Sequence, residues 1–155
     1  MEQILQLLAA KKWTITTAES CTGGLIAASL VDISGISEFF MEGYITYSNV
    51  AKHRILGVSE DTLRTFGAVS QETAEEMAGC VLTAANADIS IISTGIAGPC
   101  GGTPDKPVGL VYLACATKKQ IFVQRHMFHG DRREIREQAV AKALELVETV
   151  LKSQY

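Results

Sequence analysis

Apolar residues recur at helical spacing near the start of the chain, at Ile4, Leu5, Leu7 and Leu8, and the pattern then changes to the β-branched run Trp13–Ala18. The chain therefore opens helix then strand. Thr22-Gly23-Gly24 introduces a second apolar helix that runs to about Val31, and the aromatic, β-branched run from Phe39 to Tyr47 predicts another strand. A short helix from about Asn49 should stop at Gly57, where a residue without Cβ takes positive φ. Ser59 and Ser70, each followed by acidic or amide residues, read as N-caps of two further helices. Residues 87–97 (ADISIISTGIA) read as a buried strand, and 108–117 with 121–128 read as a hairpin around Lys118-Lys119. A last helix from Asp131 carries Ile135, Ala139, Ala143, Leu144, Val147 and Leu151 on its buried side. These elements predict an α/β fold, a mixed sheet of about five strands covered by helices.

Composition narrows the function classes. The 155 residues, 47% hydrophobic and 20% charged, read as one globular domain spanning 1–155. Fourteen basic residues against 17 acidic ones give a net charge of −3, which offers no field to attract a nucleic-acid backbone. No window reaches the length of a membrane span, and the first lysines follow the apolar stretch, the reverse of a secretory signal. The four cysteines have neither zinc-ligand nor CxxC spacing and read as free thiols in a reducing compartment, so the expected location is cytoplasmic. The three histidines form no ligand set, and no metal is expected.

Four segments carry candidate chemistry. In Ala18–Gly24, a strand end runs into a glycine-opened helix; Ser20 could be a nucleophile beside unpaired helix-start N–H groups that receive an anion, or Ser20 or Thr22 could simply cap the helix. Cys21 could be a nucleophile or a small buried thiol. In Thr46–Lys52, Lys52 is a general base only if neutral, and otherwise a solvated helix lysine; Tyr47 is either a partner in that chemistry or a strand aromatic. The loop Ser93–Pro107 is dense in glycine and proline, so its backbone can approach a ligand closely, but it lacks the GK[ST] of a P-loop. In His129–Arg136, Arg132 and Arg136 lie one turn apart and could hold a phosphate, or form a solvated face paired with Glu134 and Glu137.

Taken in order, AESCTGG, TYSNVAK with LGV, GAVS, TGIAGPxGGTPxKPVG and GDRxxIR resemble the C-terminal domain of the CinA (competence/damage-inducible) family across about residues 3–150. The resemblance implies a three-layer α/β/α sandwich and cofactor-free hydrolysis of nicotinamide mononucleotide to nicotinic acid mononucleotide and ammonia. It implies Ser20 as nucleophile, Lys52 as base and Tyr47 as a catalytic tyrosine. It also implies a substrate pocket drawn from Thr22, Gly23, Arg132 and the 95–103 loop with Gly95, Gly98, Gly101, Gly102 and Thr103; Thr94 beside that loop and Arg136 one turn from Arg132 join the candidate pocket by their placement in the sequence. Cys100 stands where a polar or small residue is expected. Other members carry an additional N-terminal domain, for which this length leaves no room, and a homodimer or higher homo-oligomer is compatible with the resemblance. Two alternatives stand beside it: a nucleotide-binding domain without catalysis, and a serine–lysine amidase for another small amide.

Overall fold

A computed structural model describes residues 2–153. Helix α1 (Glu2–Lys11) leads into β1 (Ile15–Glu19), followed by α2 (Leu25–Val31), a 3-10 turn (Ile36–Glu38) and β2 (Phe40–Ile45). The short helix α3 (Asn49–Ala51) continues as a π-helical turn (Lys52–Leu56) that ends at Gly57 with φ 87°, the predicted stop. Helices α4 (Glu60–Phe66) and α5 (Gln71–Ala84) follow, then β3 (Ile89–Gly95), β4 (Leu110–Thr117), β5 (Ile121–Met127) and α6 (Arg132–Ser153). Ser59 and Ser70 cap α4 and α5 by accepting from Thr62 N and Thr73 N. Asp131 accepts from Glu134 N while Glu134 Oε2 accepts from Asp131 N, a reciprocal box that starts α6.

The five strands form one mixed sheet in the order β2-β1-β3-β4-β5, with β2, β1 and β3 parallel, β4 antiparallel to β3 and β5 antiparallel to β4. Side chains alternate between its two faces. Ile15, Ile89, Ile91, Val111, Leu113 and Cys115 face a core shared with α1, α2 and α6. Ala18, Ile92, Ala114 and Ala116 face a second core built with α4, α5 and the π-helical turn. The result is the expected three-layer sandwich. Leu144 is only half-buried, while the other five core positions expected on α6 are buried. No helix among the described residues is long and apolar enough to cross a membrane.

Strand order places the site. From β1 the chain moves outward through α2 to β2, then returns across the opposite face to β3 on the other side of β1. The carboxyl ends of β1 and β3 thus flank a point where successive connections diverge, the position at which open α/β sheets form ligand crevices.

Candidate active site

Ser20 follows the last residue of β1, and strand alternation sends Glu19 and Ser20 to opposite sides. Glu19 turns under α2, and Ser20 turns towards the π-helical segment. There its Oγ lies 3.0 Å from Lys52 Nζ. Lys52 is only 1% exposed; its amine also donates to Thr46 O at 2.8 Å. With no carboxylate beside it, burial dominates and pushes the amine down to about 8. A lysine opening a π-helical turn fits the frequent placement of such turns at functional positions.

Glu19, 1% exposed, takes four donors. Its Oε2 accepts from Gly24 N, Ile26 N and the Thr22 hydroxyl, and its Oε1 accepts from Ala27 N. The expected open helix start is therefore absent: a carboxylate from the preceding strand already fills it. Neither Ser20 nor Thr22 caps α2, whose N-cap is Gly24 with no side-chain cap bond, and the helix begins at Leu25 rather than at Thr22. Because Glu19 Oε2 already accepts two N–H groups, the Thr22 hydroxyl donates to it, and Thr22 Oγ1 accepts from Ser93 Oγ at 2.6 Å. Glu19→Ala orphans several buried donors at about 1–3 kcal/mol each, so denaturant unfolding should show a loss of at least about 3 kcal/mol. A loss below about 1 kcal/mol would contradict this role.

Cys21 is buried beside Ser20. Burial pushes its thiol up to about 11, against the opposing effects of Ser93, Lys52 and Arg136. Burial thus favours the protonated form, in keeping with the small buried thiol rather than a thiolate.

A crevice of about 260 Å³ opens above the pair, lined by Ser20, Cys21, Tyr47, Lys52, Ala68, Val69, residues 94–98, Cys100, Gly101 and Arg132. Tyr47 is 58% exposed at its rim, and its phenol oxygen accepts from Arg132 Nη2 at 2.9 Å. Arg132 Nη1 donates to Gly98 O at 2.7 Å, tying the glycine-rich loop to α6. The Thr94 hydroxyl donates to Ala68 O, which joins β3 to the segment before α5. A larger groove of about 540 Å³ beside α5 is mostly apolar and contains none of these groups. Among the described residues no cluster of three or more His, Cys, Asp or Glu is placed to hold a metal ion.

The sequence profile of the CinA C-terminal domain matches residues 1–151. The chain belongs to that family. A CinA-like protein of Kosmotoga olearia is 51% identical over 150 residues, 97% of this chain but 36% of the relative. The chain spans 36–37% of the length of several such curated relatives. A shorter relative, the nicotinamide-nucleotide amidohydrolase PncC of Enterobacter agglomerans, is 50% identical over 139 residues, covering 89% of this chain and 85% of its own. Among solved structures, a CinA superfamily protein of Klebsiella pneumoniae superposes with a TM-score of 0.93 at 39% identity, covering 97% of this chain and 94% of that one.

In this CinA domain, the site residues expected from sequence separate into two groups. Ser20, Tyr47, Lys52, Thr94, Gly95, Gly98, Gly101 and Arg132 line the crevice. Thr22, Gly23, Gly102, Thr103 and Arg136 do not. Thr22 lies beneath the serine turn, Thr103 bonds Lys106 within its own loop, and Arg136 donates to the carbonyls of Cys21 and Thr22. Of the two arginines expected one turn apart, Arg132 faces the crevice and Arg136 the back of the serine turn. The salt bridge on this stretch of α6 is Arg133–Glu137. Glu19, Ser93, Ala68 and Val69 belong to the site without having been singled out; Glu19 stands inside AESCTGG and Ala68-Val69 inside GAVS.

Proposed function

We propose that this CinA domain hydrolyses the carboxamide of nicotinamide mononucleotide to nicotinic acid mononucleotide and ammonia, with Ser20 as nucleophile and Lys52 as general base. The observation that carries the proposal is a buried amine, held near pKa 8, at 3.0 Å from a serine hydroxyl in an open crevice. The name of the PncC relative, a nicotinamide-nucleotide amidohydrolase, supports this substrate class.

In the proposed sequence, neutral Lys52 takes the Ser20 proton as Oγ bonds to the amide carbon. The oxyanion is met by N–H groups of the serine turn. Gly23 N is committed to Ser20 O, and Gly24, Ile26 and Ala27 to Glu19, whereas the N–H groups of Cys21 and Thr22 bond no other described residue. The lysine ammonium returns its proton towards the leaving nitrogen, with the Tyr47 hydroxyl as relay. The C–N bond breaks and ammonia departs. Water, deprotonated by the same amine, then cleaves the ester, releasing the acid and the serine hydroxyl. Arg132 and the glycine-rich loop hold ribose and phosphate, supplying positioning rather than chemistry.

Ammonia release from nicotinamide mononucleotide by the purified chain tests the activity; ligand binding without release would favour a non-catalytic nucleotide-binding domain. Comparison with nicotinamide riboside tests the phosphate: equal efficiency on both would point to a broader small-amide hydrolase. Arg132→Ala is expected to raise KM for the mononucleotide about 10- to 100-fold, the value of a charge-assisted contact, with a smaller effect on the riboside. An unchanged KM would remove Arg132 from substrate binding.

A further inference from the structure

Arg136, one of the two arginines that the sequence offers to a phosphate, contacts the protein backbone. Arg136 reaches from α6 across 115 positions of sequence to donate from Nε to Cys21 O at 3.0 Å, and from Nη2 to Thr22 O at 2.9 Å. Gly23 makes the approach possible: a Cβ there would sit 3.3 Å from Nη2, on a backbone already at φ 59°. No carboxylate forms an ion pair with Arg136 among the described residues.

Fixing two consecutive carbonyls fixes two peptide planes. In a trans peptide the N–H of Thr22 points opposite to Cys21 O, and the N–H of Gly23 opposite to Thr22 O. Gly23 N already donates to Ser20 O at 3.0 Å, so the second plane is held at both ends. On the other side of the turn, Glu19 fastens Gly24 and the Thr22 side chain. The nucleophile turn is therefore clamped between a carboxylate from β1 and a guanidinium from α6.

We infer that Arg136 is a positioning residue for Ser20: its two bonds to the Cys21 and Thr22 carbonyls hold the hydroxyl towards Lys52 and set the direction of the Thr22 N–H. This rests on the assignment of Ser20 as nucleophile. A flat guanidinium can bond both carbonyls, whereas a lysine ammonium presents a single point donor.

The test uses the whole chain carrying Arg136→Gln or Arg136→Lys. Ser20 reactivity is read by intact-mass labelling with a fluorophosphonate, in which Oγ displaces fluoride from phosphorus and its proton passes to Lys52. Misplacement of a reacting group by about 1 Å lowers rates about 100-fold, so Arg136→Gln is expected to show about that loss in both labelling rate and kcat. Its KM for nicotinamide mononucleotide should stay within about threefold, with the same fractional loss on the riboside and a retained cooperative melt. Arg136→Lys should recover part of the loss. Normal labelling by Arg136→Gln would overturn the inference, as would a raised KM with kcat intact and an effect confined to the phosphorylated substrate. Labelling reads the hydroxyl whichever amide is hydrolysed. A wild type that labels but leaves nicotinamide mononucleotide untouched therefore overturns the substrate assignment alone and leaves this comparison decisive; a wild type that does not label overturns both.

Discussion

Ser20→Ala is expected to lower ammonia release from nicotinamide mononucleotide by on the order of 10,000-fold while leaving nucleotide affinity within about threefold. The expectation separates two functions that share one crevice. The hydroxyl is the group that bonds to the amide carbon, whereas Arg132 and the glycine-rich loop hold the rest of the nucleotide. Ser20 itself is a small part of the crevice surface, 8% exposed, so removing one oxygen leaves the binding wall in place. The fold should tolerate the change because Glu19 and Arg136, not the serine hydroxyl, hold the turn. Isothermal titration on the variant, paired with an ammonia assay, measures both quantities. Near-normal release by Ser20→Ala would remove the serine from the chemistry.

Lys52→Met should be almost as damaging, with a fall of about 100- to 10,000-fold in kcat, the usual contribution of a general base. Lys52→Arg should fail equally, because a guanidinium cannot give up its proton at neutral pH. In the wild type only the neutral amine accepts a proton, so kcat/KM should rise with pH and reach half its plateau near the lysine value of about 8. Stability should carry the same signature. The folded amine titrates near 8 and the unfolded one near 10.5, so burial of the charge destabilises the fold fully below about pH 8. Between the two values the unfolded chain holds the proton that the folded chain has lost, and the penalty fades as pH rises. The stability of Lys52→Met relative to wild type should accordingly fall by about 3 kcal/mol from pH 8 to pH 10.5, which denaturant unfolding of the two proteins side by side would read. A difference flat across that window would mean that Lys52 is not held near neutrality.

The strands were largely legible because β-branched and aromatic runs mark them: Ile89–Gly95 sits inside the expected 87–97, and the hairpin falls on its two apolar segments. The serine-capped helices and the Gly57 stop were legible for the same local reason, since each depends on residues within one turn of itself. What could not be read was set by distance or by facing. The fate of the α2 N-terminus depended on which side of β1 Glu19 takes, a matter of strand parity and of the intervening turn, so its free N–H groups proved to be occupied. Lys52 was visible as a lysine at a strand–helix junction, but its neutralising burial comes from packing of the π-helical turn into the α4–α5 side of the sheet. Arg136 carries the spacing of a phosphate ligand relative to Arg132. Only the tertiary placement of α6 against the serine turn shows that its bonds are spent on backbone.

In the proposed mechanism amide hydrolysis passes through an ester on Ser20. Rapid acid quench of the wild-type chain with nicotinamide mononucleotide, followed by peptide mass mapping, tests it most directly. The expected result is a transient nicotinoyl-mononucleotide adduct confined to the Ser20 peptide, rising with the first equivalent of ammonia and absent from Ser20→Ala. Ammonia released over many turnovers while Ser20 stays unmodified at every time point, with comparable release by Ser20→Ala, would contradict it.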